Sequence, residues 1–317
     1  MITEPDVDAL NGVGDPCRQR GSAWARDVDL DPGGTAPTVD VFVLVEHPLP
    51  WPSDVGADPA LAAIERAVIE AAEGRRVRLQ AIAVDPAAVA RKVVVFTATR
   101  SPFSGYGRLD GVGPAGQLAE LARTLVTTEP PPPEVTVTDV LVCTHGTRDS
   151  CCGSLGTRLW KDADGAQVPV WRTSHTGGHR FAPTAVTFPD GNYWAFLDPE
   201  LPAGIVDRSL DPSIAAAHLR GCAPFSPSVQ VADRAGLEAR RWAWLASARF
   251  GEERSPNRVE LCFLMPDGVR GGYDVCLGEG RRMSVPDCGT DPAIASKSQV
   301  ERKIKPHPVL GATRTRG

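Results

Sequence analysis

The chain has 317 residues, of which 42% are apolar and 23% charged, and its formal net charge is -5. A chain of this length builds a substantial core, in one or two domains, without disulfide staples. Its acidic balance argues against a dedicated nucleic-acid binder, which would present a basic face, and no window approaches the ~18 uninterrupted apolar residues of a membrane span.

Residues 1–36 carry little pattern. Residues 39–46, Val-Asp-Val-Phe-Val-Leu-Val-Glu, predict a buried strand from their β-branched content. The strand runs into His47-Pro-Leu-Pro-Trp51, a loop that continues neither regular structure. A helix then opens on Asp58 as N-cap with Pro59 in its first turn. Leu61, Ile64, Val68 and Ala71 form its apolar stripe, and Gly74 ends it. Residues 77–84 and 92–98 predict strands separated by a short helix at 86–91. A helix over 113–127 presents Leu118, Leu121, Ala122 and Leu125 on one face. This alternation predicts an α/β layer with a partly parallel sheet, occupying residues 1–129.

The four prolines 130–133 are stiff and extended and mark the best boundary in the chain. Residues 135–142 predict a central strand with Cys143 at its carboxyl end. A helix over 154–162 turns Leu155 and Leu159 inward, and a strand over 168–173 leads to His175 and His179. Residues 184–188 and 193–197 form a hairpin around Pro189-Asp190-Gly191-Asn192. The order β-α-β-loop-β-β-α is that of a thioredoxin-like layer, spanning 130–205. It sets both Cys/His loops at the carboxyl ends of adjacent parallel strands, where α/β sheets place their sites. Pro183 stands where such layers keep a cis proline, so a cis Ala182–Pro183 bond is expected. Residues 206–296 predict a mixed extension, with helices over 213–219 and 229–250 and a hairpin of 259–265 with 269–277. Residues 297–317 are basic and read as a solvated, flexible tail.

The chemistry concentrates in Cys143-Thr-His-Gly-Thr-Arg-Asp-Ser-Cys151-Cys152 and Ser174-His175-Thr-Gly-Gly-His179-Arg180. The acidic start of the chain has no apolar signal core, so a cytoplasmic location with reduced thiols is expected. Eight cysteines in that setting point to metal or redox use. Thiolate and neutral imidazole are strong soft and borderline ligands, and four such donors suit one tetrahedral zinc or a two-iron cluster. Zinc knuckles bring their cysteines two to four residues apart. The wider spacing from Cys143 to Cys152 suits a larger inorganic core, and both readings stay open on spacing alone.

The motifs Cys-Thr-His-Gly-x-x-Asp-x-x-Cys (143–152) and Ser-His-x-Gly-Gly-His-Arg-Phe-Ala-Pro (174–183) resemble the sucrase/ferredoxin-like family. Gly34-Thr35-Ala36 and Glu46-His47-Pro48-x-Pro50-Trp51 match more weakly. The resemblance runs from about Cys17 to Leu245. It implies a thioredoxin-like ferredoxin domain preceded by a second α/β layer. It also implies a [2Fe–2S] cluster held by Cys143, Cys152, His175 and His179. Replacing two thiolates by imidazoles moves the potential towards the Rieske range, ~-150 to +300 mV, and couples it to a proton. The implied protein carries single electrons to an unidentified redox partner, without nucleic acid or membrane. A structural Cys2His2 zinc site and a thiol–disulfide oxidoreductase using Cys151 or Cys152 are the alternatives, although a Cys-x-x-Cys is missing.

Cys151 competes with Cys152 for the ligand position, and the family register favours Cys152. His145 lies in the same loop as a weaker ligand candidate. Thr144 and Ser174 are positioned to donate to cluster sulfurs, and Arg148 and Arg180 to screen the cluster. Cys222, Cys262, Cys276 and Cys288 are irregularly spaced and read as core or incidental thiols, and Cys17 has no partner legible in the sequence. No carboxylate pair suits glycoside hydrolysis, and no glycine-rich phosphate loop supports a nucleotide cofactor.

Overall fold

The computed structural model describes residues 21–163, 167–285 and 297–304. Nine strands form one mixed sheet. In chain order they are β1 (Val41–Pro48), β2 (Val77–Val84), β3 (Ala90–Ala98), β4 (Tyr106–Pro114), β5 (Asp139–Cys143), β6 (Val170–Thr173), β7 (Ala185–Phe188), β8 (Asn192–Trp194) and β9 (Leu219–Cys222). Their order across the sheet is β4-β3-β1-β2-β6-β5-β7-β8-β9.

The apolar run of β1 is buried on both faces. Val41, Val43 and Val45 pack against α2 (Pro59–Ala71) and α3 (Leu118–Thr127), while Phe42 and Leu44 enter the main core on the other side. Continuous rather than alternating apolar sequence is what such a strand requires. Asp58 caps α2 by accepting from the N–H groups of Ala60 and Leu61, and Pro59 occupies the first turn.

The two halves of the sheet repeat one topology in mirror order. β1 pairs parallel with β2 and antiparallel with β3, and β4 returns antiparallel beside β3. β5 likewise pairs parallel with β6 and antiparallel with β7, and β8 returns beside β7. The halves meet where β2 and β6 touch near their carboxyl ends, at Ile82 and Thr173. Ser174 extends that contact, since its N–H donates to Ala81 O at 2.8 Å and its Oγ accepts from Ala81 N–H at 3.0 Å. Strands from both sides of the 130–133 proline run therefore share one sheet.

Several elements differ from the sequence expectation. The short helix at 86–91 is a turn, in which the Asp85 side chain accepts from Ala87 N–H, and Ala90 begins β3. β4 was not expected, because Gly107, Gly111 and Gly113 dilute its strand signal. The helix predicted over 229–250 stops early: α7 (Pro227–Arg240) ends at Arg241, whose φ is +57°, a 3-10 turn follows, and Ala248–Ser255 is a strand, β10. The reversal folds Trp244 and Arg249 back onto α7, where both bond the buried Asp233. β10 then joins β11 (Arg258–Leu264), β12 (Arg270–Val285) and β13 (Lys297–Ile304) in a second, antiparallel sheet. The stretch expected to be a flexible tail thus begins as a strand paired with β12, and residues 305–317 lie outside the described residues. The remaining helices are α1 (Ser22–Asp27), α4 (Thr157–Asp162), α5 (Leu201–Val206) and α6 (Pro212–His218). No helix among the described residues is long and apolar enough to cross a membrane.

Candidate metal centre

Cys143 is the last residue of β5, and His175 lies two residues beyond the end of β6, its parallel neighbour. Parallel strands leave their carboxyl ends side by side, so the two loops emerge together. Cys143 N–H donates to Thr184 O at 3.1 Å and Thr144 N–H to Thr173 O at 3.0 Å, which pins the start of the cysteine loop. The Ala182–Pro183 bond on the far side is cis, as expected.

Asp149 turns the loop back. Its Oδ1 accepts from Cys152 N–H at 3.1 Å and its carbonyl from Gly153 N–H at 3.0 Å, an N-cap arrangement written in the Asp-x-x-Cys spacing. Cys152–Gly156 then winds as a π-turn before α4. Such wide turns recur at functional sites. Gly156 lets this turn sit on β5: a Cβ there would lie 1.9 Å from Cys143 O.

The two loops bring together three of the four expected donors. His175 Nδ1 lies 3.8 Å from Cys143 Sγ and 3.7 Å from Cys152 Sγ, and all three atoms fall within 4.8 Å of one another. Both sulfurs are buried and the imidazole is half-buried. His179 stands outside this trio, with its ring centroid 6.1 Å from that of His175. Cys151 is disulfide-bonded and packs on Ala182, whereas Cys143 and Cys152 are in no disulfide. The trio thus contains Cys152 and not Cys151, and the disulfide at Cys151 departs from the expectation that the thiols stay reduced.

The donor set is electrostatically prepared for a cation. The Cys152 hydrogen bond, opposed by burial, and the bond and charge of His175 hold the Cys143 thiol well below the usual thiol range. Thiolate is the form a metal binds. The buried Thr144 hydroxyl has no hydrogen-bond partner among the described residues, so the chain leaves a donor unused beside Cys143. By residue type, burial and spacing, the site fits a thiophilic metal or cluster.

His145 is not part of the trio. Its Nδ1 accepts from His175 N–H at 3.1 Å, so Nε2 carries the proton and donates to Pro52 O at 2.9 Å. Its ring meets Trp51 edge to face at 5.6 Å, and Thr147 Oγ1 donates to Trp51 O at 2.6 Å. The loop after β1 is therefore a brace for the cysteine loop. Glu46 accepts from Lys92 N–H, and His47 reaches Asp58 at 3.1 Å. Cys222 is a buried core thiol, Cys276 is half-buried and Cys262 is exposed. Cys17 and Cys288 lie outside the described residues.

Two arginines that the sequence did not single out grip the histidine loop. Arg78 Nη2 donates to His175 O at 2.6 Å, and Arg220 Nη1 donates to Gly177 O at 2.8 Å. Arg220 also donates to Thr35 Oγ1 at 3.1 Å and to Thr35 O at 2.6 Å, which gives the early Gly34-Thr35-Ala36 motif a place at this site. Gly177 and Gly178 have φ of +89° and +75°, and a Cβ on Gly178 would stand 2.5 Å from Arg220 Nη2. The Gly-Gly pair thus answers to both backbone conformation and close approach. No local signal in the sequence pairs Arg220 with Gly177; only the fold does.

A family model described as sucrase/ferredoxin-like matches residues 32–221. Altered inheritance of mitochondria protein 32 of Meyerozyma guilliermondii is 33% identical to the chain over 90 residues. That match covers 24% of this chain and 32% of the relative, so the chain spans about a third of the relative's length. No solved structure matches the chain.

Proposed function

The chain belongs to the sucrase/ferredoxin-like family, and from that premise we propose that it is a [2Fe–2S] redox protein passing single electrons from a thioredoxin-like frame. The observation that carries the reading is the buried trio of Cys143 Sγ, Cys152 Sγ and His175 Nδ1 within 4.8 Å. Cys143 and Cys152 supply thiolates, His175 and His179 supply imidazoles. A [2Fe–2S] cluster held there supplies one-electron chemistry at a potential above that of four-cysteine clusters. A histidine that ligates through one ring nitrogen keeps a proton on the other, so the potential is expected to fall as pH rises into the alkaline range. Residues 146–148 of the cysteine loop are exposed while its sulfurs are buried. A partner protein can approach the sulfurs there without admitting water to them. The reading places the protein in the cytoplasm with a redox protein as its partner, and with neither nucleic acid nor membrane.

A second reading is favoured by one feature of the geometry. The Sγ–Nδ1 separations of 3.7 and 3.8 Å are close to the ~3.5 Å edge of a tetrahedron with metal–sulfur bonds of ~2.3 Å and metal–nitrogen bonds of ~2.0 Å. A single structural zinc would have that edge. Metal and acid-labile sulfide analysis of anaerobically purified protein separates the two. Iron and sulfide in equal amounts, visible absorption and a paramagnetic signal on reduction support the cluster. Zinc in a colourless protein replaces it.

A further inference from the structure

Arg220 is almost completely buried, at 2% exposure. Its hydrogen bonds go to neutral oxygens, those of Thr35 and Gly177. Its guanidinium also lies against the rings of Phe181 and Tyr193, at 5.3 and 5.5 Å. Among the described residues it has no carboxylate partner, and neither has Arg78, which bonds the same loop from β2. Buried charges in proteins are as a rule paired or bound to metals, because removing an ion from water is costly. The contrast within this chain is Arg249, equally buried but bonded to both oxygens of Asp233. Burial pushes Arg220 down to about 10; Tyr193 and Cys152 oppose that fall, while Arg78 and Arg180 add to it.

The geometry points to Arg220, assisted by Arg78, as the built-in counter-charge of the metal centre, a positioning residue that favours its reduced form. The inference rests on the iron–sulfur reading. In that reading two thiolates and neutral imidazoles offset the charge of the oxidised core. One electron from a reduced partner protein would go to an iron of the cluster and give the cluster with its ligands a net negative charge, with no bond made or broken. Arg220 and Arg78 sit on the histidine loop to meet that charge. A zinc site with the same ligands takes up no electron and has no such charge to meet, which leaves Arg220 only its hydrogen bonds to Thr35 and Gly177.

The test is a redox titration of anaerobically purified full-length protein, followed by electron paramagnetic resonance, with iron content measured on each sample. Arg220→Met is expected to lower the reduced-to-oxidised ratio at a fixed applied potential by about tenfold, a fall of ~59 mV in midpoint for one electron. Arg220→Lys keeps the charge and should recover most of that loss. Arg78→Gln, which keeps a donor for His175 O, should move the midpoint in the same direction by a smaller amount. Full iron with an unchanged midpoint in Arg220→Met overturns the proposal, and so does an Arg220→Lys midpoint shifted as far as that of Arg220→Met. If Arg220→Met does not fold, Arg78→Gln decides, an unchanged midpoint counting against the proposal. Wild-type protein without iron defeats the iron–sulfur reading itself and the proposal with it, whereas iron with unmoved midpoints defeats the counter-charge alone.

Discussion

Gly178→Ala is expected to destabilise the histidine loop far more than an ordinary glycine substitution. The residue has φ +75°, and a left-handed conformation costs a residue with a Cβ roughly 1–2 kcal/mol. The new methyl would also stand 2.5 Å from Arg220 Nη2 and 2.7 Å from its Cζ. A guanidinium is usually flexible, but this one is tied to Thr35 Oγ1, Thr35 O and Gly177 O and cannot retreat without losing those bonds. Overpacking of that kind adds roughly 1–3 kcal/mol, for a total of about 2–5 kcal/mol. Gly74→Ala is the internal control, because Gly74 has φ +84° and nothing within 4 Å of its would-be Cβ. It should show the backbone cost alone, ~1–2 kcal/mol. Urea denaturation of metal-free protein measures both, read as midpoint shifts at unchanged slope. Equal shifts for the two variants would show that Arg220 is not packed against the loop as described, and the reasoning would fail.

Arg249→Met should cost ~3–5 kcal/mol, since it strands the fully buried Asp233 carboxylate. Adding Asp233→Leu should recover most of that loss, and a double variant as unstable as the single one would contradict the pairing. Asp58→Ala should cost ~0.5–2 kcal/mol at neutral pH through loss of the α2 cap. Burial pushes the Asp58 carboxyl up, but the N–H of Leu61, the charge of His47 and the N–H of Ala60 outweigh it and hold it below 3.8. Its stabilisation is therefore present above that value and lost as pH falls through the lower folded one. Wild-type and Asp58→Ala stabilities should converge in acid, and a gap that stays constant to low pH would exclude a charged cap. His145→Phe keeps a ring against Trp51 but removes the acceptor for His175 N–H. Metal retention against a chelator should weaken on the order of 10–100-fold, and unchanged retention would remove His145 from the support of the site.

The sequence by itself determined what local pattern can carry. The apolar run of β1, the Asp58-Pro59 start of α2 and the hairpin around Asp190-Gly191 are written in neighbouring residues, and the structure has all of them. The placement of Cys143 and His175 at the ends of parallel strands was legible for the same reason, because each follows its own strand directly. Gly-diluted β4, the π-turn after Cys151 and the break of α7 at Arg241 were not, since each depends on what packs against it rather than on its own composition. The tertiary structure alone decided which residues surround the donors. Thr35 and Arg220 are 185 residues apart in the chain, yet they close one hydrogen-bonded clamp on the histidine loop. Such a contact leaves no periodicity to read, because it is stabilised by burial and by partners from strands that meet only when the whole sheet has formed.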